Sequence, residues 1–181
     1  ILTGVNISNG FIAATDSFSA YRGECNSECN ITLPSKYIDA LVGGYKEVEI
    51  KCNSNTVLCE IGDTTYIGKL LEGTYPNVAG LFRDRINQVT VNKEDLKSLL
   101  AFSNSKEDYV ILGPNSLTIE GENNFEAELD LNINCQICMP YERLAKAINC
   151  INEEEMVIKY DDGAKPIYIN DDYLLLPVLM K

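Results

Sequence analysis

Apolar and polar positions alternate with a period of two along most of this chain, and helical spacing interrupts the alternation three times. Period two places one face of a strand in a core and the other in water; the 3.6-residue period does the same for a helix. Residues 1–14 alternate loosely about Ser8-Asn9-Gly10 and predict a hairpin. A polar loop is expected from there to Asn30, then a short strand at 31–33. Pro34 is placed at the first position of a helix whose apolar face is Tyr37, Ile38 and Leu41, with Gly43-Gly44 as its stop. Strands come next at 48–51, 56–61 and 64–71, until Gly73-Thr74-Tyr75-Pro76-Asn77 breaks the pattern. The polar stretch 83–87 reads as a linker between domains.

Beyond it the order is a strand at 88–91, then a helix capped by Asn92 with Asp95 at its third position, running to about Phe102. Strands are expected at 109–112, 116–120 and 124–133, a second proline-led helix from Pro140 to about Ile151, and strands at 156–160, 166–169 and 173–179. Leu33-Pro34 and Met139-Pro140 each lead a helix and then a Val-Glu-Ile-Lys or Met-Val-Ile-Lys strand. This suggests one strand–helix–strand module used twice, the first copy lacking a counterpart of residues 88–133.

Composition narrows the chemistry. With 45% hydrophobic residues the chain has enough apolar surface for a core, and no apolar run reaches membrane-spanning length. A net charge of −12 argues against a nucleic-acid binder unless the 15 basic residues are locally clustered. The absence of His removes Ser–His and Cys–His nucleophile systems, and no glycine-rich phosphate loop is present. Asp161-Asp162 and Asp171-Asp172 read as exposed turns ahead of a divalent-ion site. Of the seven Cys, Cys25/Cys29 and Cys135/Cys138 could form two halves of a zinc site, but an odd count with irregular spacing fits small apolar thiols in a reducing cytosol better. No metal or cofactor is expected.

Four stretches, in order, carry a resemblance. Lys69-Leu70-Leu71-Glu72-Gly73-Thr74-Tyr75-Pro76-Asn77 is similar to a K-L-x-x-G-x-[FY]-P-[DN] motif. Ala14-Thr15-Asp16, Leu33-Pro34-Ser35-Lys36 and the tail Tyr173-Leu174-Leu175-Leu176-Pro177-Val178 match three further motifs of the same family. The chain resembles the bacterial beta sliding clamp, the beta subunit of DNA polymerase III. The resemblance implies an α+β DNA-clamp fold of repeated strand–helix–strand modules, with antiparallel sheets outside and helices lining the inner face. It implies that residues 1–84 are the C-terminal half of the clamp's middle domain and 85–181 its C-terminal domain, so that the chain is a fragment, or the ordered part, of a longer protein.

The resemblance also implies a function. The protein would be a non-catalytic processivity factor in the cytoplasm. It would encircle duplex DNA and dock the polymerase III catalytic subunit, the clamp loader and repair proteins. Its peptide groove would be lined by Leu2, Thr15, Ser17, Phe18 and Ala20 on one side and by Leu174, Leu175, Leu176, Pro177, Val178 and Met180 on the other. Ser17-Phe18-Ser19 stands where the family has Gly-His-Arg, which removes a cation from the rim and adds apolar surface. DNA would be faced by Lys36, by Lys93 and Lys97 one helical turn apart, and by Arg143 and Lys146. Ala101, Phe102, Glu126 and Glu128 would form the contact of a homodimeric ring in the full-length chain. Two other readings stay open: a divergent clamp-like scaffold that does not circle DNA, and a cysteine-based metal or redox module with a low-pKa thiol at Cys138.

Overall fold

The computed structural model describes residues 1–27, 29–42, 48–103, 105–122 and 124–179. The chain divides into two compact units, Ile1–Leu81 and Phe82–Lys181. Within each unit the strands pair antiparallel.

In the first unit, β1 (Gly4–Ser8) and β2 (Phe11–Thr15) form the expected hairpin. Asn9 and Gly10 sit between them at φ 51° and 80°, the positive pair that a tight two-residue hairpin demands. The polar loop expected after it is instead a strand, β3 (Ser19–Glu24), paired along β2. Only Ala20 of it is buried, so its sequence carries no apolar alternation; backbone pairing holds it. The turn into it is built by Asp16, whose Oδ1 accepts from the Phe18 and Ser19 N–H groups at 3.0 and 2.7 Å. β4 (Asn30–Pro34) pairs β1 from the other side, giving the order β4-β1-β2-β3.

Pro34 is therefore the last residue of a strand, opposite Gly4, and α1 (Ser35–Val42) starts one residue later than expected. Its stop at Gly43-Gly44 lies outside the described residues. β5 (Glu49–Cys52), β6 (Thr56–Ile61) and β7 (Thr64–Lys69) form a second, three-stranded sheet. Ile7, Ile31, Leu33, Leu41, Val57, Cys59 and Ile61 make the core of this unit. Leu71 and Tyr75 cross over β1 just beyond β7: a Cβ on Gly4 would lie 2.6 Å from Leu71, and the Tyr75 hydroxyl donates to the Gly4 carbonyl at 3.1 Å. That packing is the local reason for the Lys69–Asn77 motif, which ends in a short 3-10 turn at Ala79–Leu81.

The second unit opens with β8 (Asn87–Asn92) and α2 (Lys93–Leu100). Asn92 caps the helix as expected, its Oδ1 accepting from Glu94 and Asp95 N–H at 2.9 and 3.1 Å. β9 (Tyr109–Leu112), β10 (Ser116–Glu120) and β11 (Phe125–Glu128) come next. The strand expected over 124–133 is thus cut short at 128, where Asn132 with φ 48° marks an irregular path that still buries Leu131 and Ile133. β12 (Ile137–Pro140), not foreseen, leads into α3 (Tyr141–Cys150), so that Pro140, like Pro34, ends a strand. β13 (Glu155–Tyr160), β14 (Ile167–Ile169) and β15 (Tyr173–Leu175) complete the unit. β15 stops well before residue 179, since Pro177 cannot donate to a ladder. Its sheets run β11-β10-β9-β12 and β15-β14-β13-β8. Leu96, Leu112, Leu117, Ile119, Leu144 and Met156, all at 0% exposure, anchor the core, with α2 packed beside α3.

The two units repeat more fully than the sequence suggests. β1-β2-β3, β4-α1 and β5-β6-β7 correspond in order and pairing to β9-β10-β11, β12-α3 and β13-β14-β15. The first unit is thus short only of a counterpart to β8 and α2. The expectation that it lacked everything matching residues 88–133 is corrected, because β3 was invisible to periodicity.

Candidate functional site

In the first unit Thr15, Ser17, Phe18 and Ala20 of the expected groove residues gather at the β2–β3 turn. The Thr15 hydroxyl donates to the Ser19 carbonyl at 2.7 Å and accepts from the Ser17 N–H at 3.2 Å. Ser17 takes φ 76°, and this strained corner presents Phe18 with half its surface in solvent. Leu2 is also exposed, while Ala20, opposite Thr15, is buried. In the second unit Leu174 and Leu175 are buried in β15. Leu176, Pro177 and Val178 are half-buried on an extended tail tied down by the Val178 N–H, which donates to the Cys138 carbonyl at 2.8 Å. Leu179 lies 69% exposed beyond them, an apolar surface outside the expected set. Met180 lies outside the described residues. The first unit also holds a cleft of about 730 Å³ whose lining includes Asn6, Phe11, Thr32, Leu71, Tyr75 and Pro76; none of the expected groove residues is among its walls.

The helical cations are less available than their spacing suggests. Lys36 on α1 is exposed, its ammonium 5.1 Å from the Tyr37 ring centroid. The Lys93 Nζ donates to the Ile151 carbonyl at the C-terminal end of α3, so it joins two helices. Lys97 pairs with Glu94 at 3.4 Å and Lys146 with Glu142 at 3.0 Å. The Lys146 contact holds the Glu142 carboxyl below its ordinary range. α2 and α3 together carry four cations against three carboxylates, Glu94, Asp95 and Glu142.

Phe102 reaches the strand that carries Glu126 and Glu128, on the face opposite their side chains. Ala101 caps α2, and the Phe102 ring stacks on Phe125 of β11, centroids 4.2 Å apart and planes within 6°. Phe102 remains 56% exposed. Glu126 and Glu128 point from the same strand into solvent, and β11 is the outer strand of its sheet.

Chemistry fares poorly elsewhere. Burial pushes the Cys138 thiol up, with Glu120 adding to the shift, which is the reverse of the low-pKa thiol a redox module needs. Burial also raises Cys59 and Cys135. Among the described residues no three His, Cys, Asp or Glu side chains are grouped to hold a metal. Asp162 accepts from Ala164 and Lys165 N–H groups in a turn, which lowers its pKa.

The polar stretch read as a linker is anchored. The Arg85 guanidinium donates to Asp161 at 3.0 Å and to the Tyr168 hydroxyl at 2.7 Å, and its Cζ lies 4.3 Å from the Tyr168 ring centroid. Asp161 also accepts from the Ile86 N–H, the larger cause of its lowered pKa, with the Arg85 charge behind it. Alternating charge at 83–85 hid this cluster, because the partners lie some 75 residues away.

No known protein-family profile matches the chain, and no curated protein matches it in sequence. Solved structures do. The Helicobacter pylori beta clamp bound to a DNA ligase peptide superposes with a TM-score of 0.82 at 18% identity, covering 99% of this chain and 58% of that one. The chain has the fold of the bacterial beta sliding clamp. The DNA polymerase III beta subunit of Borrelia burgdorferi, in complex with a natural product, gives a TM-score of 0.84 at 16% identity over 100% of this chain and 57% of that one. The Streptococcus pneumoniae beta chain gives 0.78 at 19% identity over 99% and 58%. This chain therefore spans under two thirds of the length of these clamps. No helix among its described residues is long and apolar enough to cross a membrane.

Proposed function

We propose that this chain is part of a DNA sliding clamp of a bacterial replicative polymerase. It acts without catalysis, in the cytoplasm, as a platform that encircles duplex DNA and docks partner proteins. The observation that carries this reading is the clamp fold along essentially its whole length at TM-scores near 0.8. Residues 1–84 then belong to the middle domain and 85–181 to the C-terminal domain, a reading supported by the repeat of β9 onward in the first unit. Docking uses Leu2, Thr15, Ser17 and Phe18 on the first unit and Leu176, Pro177, Val178 and Met180 on the second. Ala20, Leu174 and Leu175, the other wall positions that the resemblance implies, are buried. Partners are peptide segments with apolar anchors, from polymerase, clamp loader and repair proteins; the H. pylori clamp is bound to a DNA ligase peptide. Ala101, Phe102, Glu126 and Glu128 serve the subunit contact of the full-length ring.

A second reading, a clamp-like scaffold that does not hold DNA, is favoured by one observation. The cations of α2 and α3 are matched almost one for one by carboxylates, and Lys93 is engaged by a carbonyl. Topology separates the two. Incubated as the full-length protein with a clamp loader, ATP and nicked circular DNA, a clamp co-elutes with the circle through high salt and is released when the circle is cut. A scaffold shows no retention, or retention that is equal on linear DNA and lost in salt.

A further inference from the structure

Spacing along the chain couples Cys29 with Cys25, but the fold gives Cys29 a different neighbour. The loop that carries it is pinned to the first hairpin. The Gly10 N–H donates to the Ser27 carbonyl at 2.9 Å, and the Gly10 carbonyl accepts from the Cys25 N–H at 2.8 Å. Cys29 itself leans, half-buried, on the core of the first unit. Cys52 is the last residue of β5. Side chains alternate along a strand, so Cys52 shares the face of Ile50, which packs on that same core, while Glu49 and Lys51 turn to solvent. Its backbone is fixed opposite Val57, and the turn after it is closed by the Asn53 N–H, which donates to the Thr56 carbonyl at 3.0 Å. Burial, and then the Cys29 thiol within hydrogen-bonding reach, raise the Cys52 thiol above its ordinary value. The internal repeat brings the same two positions together in the second unit. Cys29 stands five residues before Pro34, as Cys135 stands five before Pro140. Cys52 follows Val48-Glu49-Ile50-Lys51, as Tyr160 follows Met156-Val157-Ile158-Lys159. There the Tyr160 hydroxyl accepts from the N–H of Asn134, the neighbour of Cys135, at 3.2 Å. Contact between this strand end and this loop thus belongs to the module, and in the first unit both positions are cysteine.

We infer that Cys29 and Cys52 are a disulfide-forming pair, and that closing it encloses β4 and α1 in a covalent loop. The oxidant is a small-molecule disulfide of the glutathione type. The exposed Cys52, as its thiolate, attacks one sulfur of that disulfide, forms a mixed disulfide and releases one small thiol. The Cys29 thiol then attacks the Cys52 sulfur, and the second small thiol leaves. Two protein thiols are oxidised and one small disulfide is reduced to two thiols, which carry away the two protons. The raised Cys52 pKa keeps its thiolate scarce at neutral pH, so the exchange is slow and answers sustained oxidising conditions. The closed form is the more stable one, because the crosslink removes freedom from the unfolded chain between two points that the fold already holds together.

The test incubates the 181-residue chain with oxidised glutathione at mildly alkaline pH under native conditions, alkylates the remaining thiols and maps the products by peptide mass spectrometry. The expected product is a Cys29–Cys52 crosslink, two hydrogens lighter than the separate peptides and reversed by dithiothreitol. Thermal melts of the oxidised protein should shift upward from those of the reduced one. Cys150, exposed in the second unit, takes up glutathione and reports that the oxidant was active. Cys29→Ser removes the resolving thiol, so Cys52 should accumulate as the mixed disulfide and the upward shift should vanish. The mapping is made on the wild type and does not depend on how well the variant folds. Four results overturn the inference: a Cys52 crosslink to Cys25 in place of Cys29, a mixed disulfide at Cys52 that persists in the wild type, a Cys52 left free while Cys150 is modified, or a Cys29–Cys52 crosslink that forms only after unfolding in urea.

Discussion

Replacing Asn92 by alanine removes a single acceptor from the start of α2. The first N–H groups of a helix have no partner within it, and here the Asn92 Oδ1 satisfies two of them, at 2.9 and 3.1 Å, from an extended backbone at φ −70° and ψ 130°. Glu94 and Asp95 are exposed, so water takes over both N–H groups once the side chain is gone. The cost is therefore that of a cap, about 1 kcal/mol, and not the larger penalty of an orphaned buried donor. In a domain of roughly 100 residues that corresponds to a fall in Tm of roughly 4–8 °C. Asn92→Asp keeps the acceptor and adds a negative charge at the positive end of the helix dipole, offset by its neighbours Glu94 and Asp95, so it should stay close to the wild type. The assay is thermal unfolding by circular dichroism, with amide exchange in α2 to assign the transition. A Tm for Asn92→Ala indistinguishable from wild type, or an equal fall for Asn92→Asp, would show that the Asn92 side chain does not cap α2.

Leu144→Ala, at 0% exposure on α3, should cost about 2–5 kcal/mol in urea titrations, because the packed sheet beneath cannot close the cavity. Asp161 has a folded pKa below its unfolded value, so the stability it contributes is present above the ordinary carboxylate range and is lost as pH falls through the folded value. Asp161→Asn should flatten the acid limb of a stability-against-pH curve; an unchanged limb removes Asp161 as its source. With a thiol reagent under native conditions, the exposed Cys52 and Cys150 should react first, while Cys59 and Cys138 wait for unfolding; early labelling of Cys138 would contradict its burial.

The legible parts of the fold were those written in local chemistry. Asn9-Gly10 announced a hairpin and Asn92 a helix start, because each depends on residues within four positions. β3 was not legible, since a strand with one buried residue has no alternation to read and is fixed by its neighbour β2. Pro34 and Pro140 were displaced by one residue because a φ near −60° serves the end of a strand as well as the first turn of a helix. At the site, sequence spacing put Lys93 and Lys97 on one face, but the carbonyl and carboxylate that engage them came from packing and a neighbouring turn. The Arg85 cluster needed partners so distant along the chain that no window could have held them.

The most direct measurement is polarisation of a fluorescent peptide of the Gln-x-x-Leu-Phe type titrated with this chain and with its Leu176→Asp variant. Binding by the wild type is expected to be saturable, and clearly weakened when a carboxylate enters the half-buried apolar tail. Absence of binding across several motif variants, or equal binding by Leu176→Asp, would leave the clamp fold in place and contradict its role as a docking platform.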